Sequence, residues 1–147
     1  MSYITNTDIQ TRLGTTLYVQ LADDTGSGSA DPNIVNEARL GAEGEANSYL
    51  ARRYAVPVNL TAHPELTELL VSLVLDLAVY RLQARRPPVP ADVVRQRDEA
   101  VKWFARVANG DVALPAATAP AENTATGTVG DASGEKRVMT RSALDNL

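Results

Sequence analysis

The sequence predicts an all-α protein: a small helical bundle with long central helices, followed by an extended, flexible C-terminal arm. Three observations predict it. Apolar residues recur at helical spacing through two long stretches, 32–53 and 64–82, and no stretch alternates apolar and polar residues as a half-buried strand does. Helix starts and stops stand at Asp31-Pro32, His63-Pro64 and Asn109-Gly110. Beyond Leu114 the composition changes: residues 115–134 read PAATAPAENTATGTVGDASG, with two Pro and no aromatic, Leu or Ile. That is too little apolar surface to offset the entropy of ordering. The expected organisation is a helical body over 1–114, a flexible linker over 115–134 and a docking tip over 135–147.

Each element has a local cause. Thr7 is the expected N-cap of the first helix, in a capping box with Gln10, and Gly14 supplies the stop after Leu13. Thr16 caps a second short helix presenting Leu17, Tyr18 and Leu21, and the run from Asp23 to Ser29 breaks it into a loop. Asp31 as N-cap with Pro32 at the first helical position starts the third helix, because the missing proline N–H has no bond to lose there. Val35, Ala38, Ala42, Ala46, Tyr49, Leu50 and Arg53 form its stripe, with Glu37, Glu43, Glu45 and Arg52 outside it. The stripe is narrow and rich in Ala, which lets a partner helix approach closely. Pro57 ends this helix in an extended turn.

The fourth helix starts at His63-Pro64-Glu65. Leu66, Leu69, Leu70, Leu73, Val74, Leu77, Ala78 and Leu82, extended by Val71, Leu75, Val79 and Tyr80, make it apolar on most sides, as a central helix must be. Arg85-Arg86-Pro87-Pro88 closes it, with cations at the negative end of the helix dipole and prolines barring continuation. Asp92 caps a last helix carrying Val94, Val101, Phe104, Ala105 and Ala108, with an Asp98–Lys102 pair one turn apart.

Composition narrows the function. A chain of 147 residues with this tail has room for one domain and one core. The lack of Cys removes disulfides, thiolate metal sites and cysteine nucleophiles. The opening MSYITNTDIQ has no basic run before an apolar core, so synthesis in the cytoplasm without a signal peptide is expected. Thr67, Glu68, Ser72, Asp76 and Arg81 interrupt the most apolar run, which argues against a membrane span. A net charge of −4, from 14 basic and 18 acidic residues, argues against tight wrapping of nucleic acid. The charge is uneven: residues 23–68 hold eight acids and three bases, and residues 81–106 hold seven bases and three acids. Basic-to-acidic pairing between copies in a ring is one reading of this polarity, and solvated helix faces are the other.

The candidate sites follow from the same residues. A calcium loop starting at Asp23 would need a bidentate Glu where Ile34 stands, so Asp23, Asp24 and Asp31 read as turn and cap residues, and no metal or other cofactor is expected. Asp76, in the most apolar helix, is expected to be a buried structural charge that requires a cationic partner, with Arg52, Arg53 and Arg81 as candidates. His63, the one His, lies in a loop far from Asp76 and reads as a turn residue. Without a nucleophile triad, a zinc cluster or a phosphate-cradling Gly loop, the chain is not expected to be an enzyme.

Arg52, Arg53, Arg85 and Arg86 are candidate interface residues, read as protein contacts rather than phosphate contacts because arginine suits interface ion pairs and the net charge is acidic. Trp103 and Phe104 point about 100° apart on a helix, so either one of them meets a neighbour, with Trp103 the candidate interface residue, or both belong to a wide core-facing stripe. In the tip, Arg137, Val138, Met139, Thr140, Arg141, Leu144 and Leu147 combine bulky apolar residues with cations, as a docking peptide does. A small helical nucleic-acid-binding regulator is the competing class, but Asp98 and Glu99 interrupt its one basic helix candidate, 92–108.

Taken in order, several stretches resemble one family. They are Tyr3-Ile4-Thr5 and the helix ending Arg12-Leu13-Gly14; the Leu21-Ala22-Asp23-Asp24 loop; Tyr49-Leu50-Ala51-Arg52-Arg53-Tyr54-Ala55-Val56-Pro57; residues 76–82, DLAVYRL; Ala100-Val101-Lys102-Trp103-Phe104 followed by Asn109-Gly110; and the tip 137–147, RVMTRSALDNL. With these the chain resembles the Mu-like phage head-to-tail connector family, also called head-completion or adaptor proteins. In the loop, Ser27, Ser29 and Ala30 stand where further carboxylates would be, which weakens any metal role there. The resemblance implies an all-helical subunit in a homo-oligomeric ring, usually of twelve copies, in the neck of the virion beneath the portal protein and above the tail-completion or tail-terminator protein. It also implies assembly in the host bacterial cytoplasm and passage of genomic DNA without sequence-specific binding.

Overall fold

The computed structural model describes residues 2–118. They form five α-helices, α1 (Asn6–Leu13), α2 (Thr15–Ala22), α3 (Pro32–Leu50), α4 (Thr67–Ala84) and α5 (Ala91–Asn109), and a 3₁₀ turn, Pro64–Leu66, leads into α4. The all-α expectation holds, with no strand among the described residues. None of these helices is long and apolar enough to cross a membrane.

α4 is the centre. It touches all four other helices, and Leu70, Val74, Leu77, Ala78 and Leu82 are fully buried along it. Burial of a Leu or Val side chain contributes about 1.5–3 kcal/mol, so this one helix supplies a large share of the core. Ala38, Ala42 and Ala46 bring α3 against it, and Ala100, Phe104 and Val107 bring in α5. Leu69, expected in the apolar face, is 41% exposed, and Val94 on α5 is 37% exposed. The α5 stripe runs instead through Ala100, Phe104, Val107 and Ala108.

Several local expectations shift by a residue or two. The α1 cap is Thr5, whose hydroxyl accepts from the Asp8 N–H at 3.2 Å while Asp8 Oδ2 accepts from the Thr5 N–H at 2.7 Å. This box wins over Thr7 and Gln10 because it starts the helix two residues earlier, directly after the buried Tyr3 and Ile4. α2 starts at Thr15 without a side-chain cap, and Thr16 does not cap it. Asp31 caps α3 as expected, accepting from the Asn33 N–H at 2.8 Å. α5 starts after Pro90 with no side-chain cap, and Asp92 sits in its first turn beside Arg95. Gly110 closes α5 in the left-handed region at φ 92°.

Pro57 does not end α3; the helix stops at Leu50, and residues 51–53 form a turn. A proline constrains only itself and the residue before it, so it cannot reach back this far. The turn carries Tyr54 inward, where it is 5% exposed and its hydroxyl accepts from the Leu114 N–H at 2.7 Å. The same region corrects the edge of the body. Residues 115–118, assigned to the linker above, run beside Tyr54: the Ala55 N–H donates to the Ala117 carbonyl at 3.0 Å, and an isolated antiparallel bridge joins Tyr54 to Thr118. The body therefore includes Thr118. The rest of the linker and the whole tip lie outside the described residues.

Glu43, placed outside the α3 stripe by the sequence, is 8% exposed and holds the N-terminal segment. Its Oε1 accepts from Ser2 Oγ at 2.5 Å, from the Tyr3 N–H at 2.9 Å and from the Ile4 N–H at 3.2 Å. Tyr3 continues the tie: its hydroxyl donates to Asn47 Oδ1 at 2.7 Å and accepts from the Val58 N–H at 2.8 Å. Burial raises the Tyr3 pKa above its usual value, so the phenol stays protonated as that donor. Glu43→Ala would leave two backbone donors without their acceptor, and unsatisfied buried groups cost about 1–3 kcal/mol each. Urea denaturation of this variant is expected to show a loss of about that size, with faster amide exchange at Tyr3 and Ile4. Unchanged stability and exchange would contradict the tie.

Candidate interaction surfaces

The structure resolves the uneven charge of the sequence mostly within the subunit. Arg85 and Arg86, at the C-terminal end of α4, reach the loop between α2 and α3. Arg85 donates to the Leu21 carbonyl at 2.7 Å and to Asp24 Oδ2 at 2.6 Å, and Arg86 donates to Asp24 Oδ1 and to the Asp23 carbonyl, both at 3.0 Å. The Arg85 hydrogen bond, with a smaller contribution from Arg86, holds the Asp24 carboxyl below its usual range. A second cluster ties three helices. Glu45 on α3 accepts from Arg81 of α4 at 2.8 Å and faces Arg97 of α5 at 3.6 Å, while the Arg97 guanidinium lies 5.2 Å from the centre of the Tyr80 ring. These residues, with Ile34 and Ala38, line a groove of 390 Å³.

Asp76 is paired, but with Arg12 of α1 at 2.6 Å, not with Arg52, Arg53 or Arg81. α1 packs across α4, which brings Arg12 to it, whereas Arg81 is taken by Glu45 and Arg52 and Arg53 lie at the far end of α3. The Asp76 pKa is raised: desolvation outweighs the attraction of Arg12, and Glu99 adds repulsion. The Asp98–Lys102 pair is also replaced. Asp98 meets Arg97 at 3.1 Å, because Arg97 is already turned inward toward Glu45.

One end of the bundle is different. Among the described residues, seven of eleven Lys and Arg side chains lie within 4.0 Å of a carboxylate: Arg12, Arg39, Arg81, Arg85, Arg86, Arg95 and Arg97. Of the other four, Arg52 and Arg53 lie in the turn that follows α3, and Lys102 and Arg106 lie in the C-terminal part of α5. Arg52 Nη1 reaches Asn109 Oδ1 at 3.4 Å, and Arg53 lies against Gly110 so closely that a Cβ there would collide with its guanidinium. Beside them Phe104 is fully buried and Trp103 is half-buried, edge-on to it at 5.3 Å, with Tyr49 stacked on the other side at 6.3 Å. The sequence singles out Arg52, Arg53 and Trp103 as candidates and does not single out Lys102 and Arg106. Their one signal was helical spacing: four residues apart, both on the outer face of α5.

Asp23 acts on its own loop. Its carboxylate accepts from the N–H groups of Gly28 at 2.7 Å and of Ser27 and Thr25 at 3.1 Å. These bonds, Gly28 first, hold its pKa down to about 2. A pKa below the unfolded carboxylate value stabilises the loop above the usual titration range, and the contribution is lost as pH falls through about 2. Carboxyl NMR is expected to place the Asp23 midpoint near 2, and Asp23→Ala should speed amide exchange at Thr25, Ser27 and Gly28. A midpoint in the usual carboxylate range would contradict the turn.

The chain can then be compared with known proteins. A family model described as bacteriophage Mu, Gp36 matches residues 3–131. A comparison with curated proteins gives no match. The family match covers the N-terminal tie, all five helices and the residues beside Tyr54, and it agrees with the Mu-like resemblance of the sequence: the chain belongs to the bacteriophage Mu Gp36 family.

Proposed function

We propose that this protein is a structural component of the virion, a head-to-tail connector or adaptor. Copies form a ring, of twelve subunits by family resemblance, in the neck of the particle. The ring docks beneath the portal protein, receives the tail-completion or tail-terminator protein, and lets genomic DNA pass without reading its sequence. The observation that carries this reading is the match to a phage family over residues 3–131. Two features support it. The helical body is braced by its own ion pairs, so it can act as a rigid building block. The segment beyond Thr118 is long enough to reach a neighbour: as a flexible tether, the 16 residues 119–134 would span about 22 Å on average and about 55 Å fully extended.

The role is structural, not catalytic, on this reading. His63 meets Glu65 at 3.2 Å in an exposed turn and Asp76 is occupied by Arg12, so His63 and Asp76 do not form an acid–base pair with each other. The regulator alternative has little support from α5, where Arg95 lies between Asp92 and Glu99 and Arg97 between Glu45 and Asp98. Neutralised cations make a poor recognition helix.

The tip is the proposed grip. Arg137 and Arg141 would meet acidic surface, Thr140 would cap a short turn presenting Leu144 and Leu147, and Val138 and Met139 would enter a groove on the partner. A tether holds such a peptide at millimolar effective concentration, so a weak contact becomes strong once the body has docked. Deleting residues 137–147 should leave the circular dichroism melt of the body unchanged and prevent heads from joining tails. Joined particles at normal yield from the truncated chain would overturn the role of the tip.

A further inference from the structure

We infer that the end of the bundle formed by Arg52, Arg53, Lys102 and Arg106, with Trp103 and Tyr49, is a docking surface for an acidic patch on another protein. The charge is the first reason. Every other described Lys or Arg has a carboxylate within 4.0 Å, and among the described residues these four have none. The C-termini of α3 and α5 lie at this end, and each helix dipole presents roughly half a negative charge there, so together they offset about one of the four cations. Helix capping therefore explains part of the cluster and leaves most of its charge unanswered.

The second reason is the company the cations keep. Arg106 lies one turn from both Lys102 and Trp103, and Tyr49 lies one turn before Arg52 and Arg53. Trp103 and Tyr49 are half-buried, held from behind by the fully buried Phe104. Trp, Tyr and Arg around a rigid aromatic base is the composition of a protein-binding hot spot. The backing fixes the rotamers, so little side-chain entropy is lost on docking.

Between the two anionic partners this surface could take, a protein fits better than nucleic acid. Asp111 follows Gly110 directly, and Glu99 stands one turn before Trp103, so carboxylates border the patch. A long polyanion would have to cross them, whereas a compact acidic patch would not. Nor do the described residues offer the counterpart: among them the carboxylates without an ion pair or hydrogen bond, Glu37, Glu68 and Asp111, are scattered over α3, α4 and the segment after α5. The inference stands on this geometry and does not depend on the connector reading.

Trp103 is the one Trp of the chain, so its fluorescence reports on this surface directly. The experiment titrates the full chain with a short peptide alternating Glu and Leu, with the same peptide carrying Gln for Glu, and with a short DNA duplex of random sequence, all at one ionic strength. A saturable blue shift with the Glu peptide alone is expected. Arg52→Glu combined with Arg106→Glu should weaken it about tenfold or more, and the ion-paired control Arg95→Glu should not. Circular dichroism melts check that each variant is folded, and Lys102→Ala with Arg106→Ala replaces the charge reversal if it is not. Three results would overturn the inference: no saturable response to the Glu peptide, tighter binding to the duplex with loss in the same variants, or a blue shift on raising the concentration of the chain alone.

Discussion

The close approach of α3 to α4 is the constraint on which the rest depends. Ala38, Ala42 and Ala46 are buried at successive turns of α3, and a larger residue at any of them would hold the two helices apart. Gly41 extends the same face: a Cβ there would come to 3.0 Å from Arg81 Nη1, so the guanidinium packs closely over the bare position and would have to shift to admit a side chain. That places Arg81 at Glu45, and Glu45 in turn meets Arg97 of α5. The packing of small residues thus decides which ions can pair. It also leaves α4 free to receive α1 on another side, where Arg12 finds Asp76.

The ion pairs lock parts together more than they add stability. Most of the pairs have at least one partner open to solvent, where screening leaves such contacts little net stabilisation. Asp76 shows the limit, since its desolvation outweighs the attraction of Arg12. Their value is geometric: Arg85 and Arg86 fix the loop after α2, and Glu45 fixes the relative setting of three helices. A subunit whose charges are answered internally presents few unpaired cations to its neighbours. The Arg52–Arg106 end is conspicuous for that reason.

Much of this was legible in the residues. Asp31-Pro32, the apolar run of α4 and Asn109-Gly110 carry their own physics, and each element they mark is present. Periodicity also found the Ala stripe of α3. What it could not show were contacts between residues distant in the chain. Glu43 lies beside the apolar stripe on a helical wheel, and only the fold brings Ser2, Tyr3 and Ile4 over it. The partner of Asp76 was missed because helix order does not reveal which face α1 covers. Tyr54 likewise gave no local sign that it would hold the chain out to Thr118. The polarity of charge between the two halves was read correctly as a pattern, yet the choice between pairing within one chain and pairing between copies belongs to the tertiary structure.

The connector reading rests on assembly, and cryo-EM of phage particles carrying this chain tests it most directly. A closed ring of helical subunits between portal and tail, into which the α3–α4–α5 bundle fits, is the expected result. Complete particles whose neck contains no density for this bundle would contradict it.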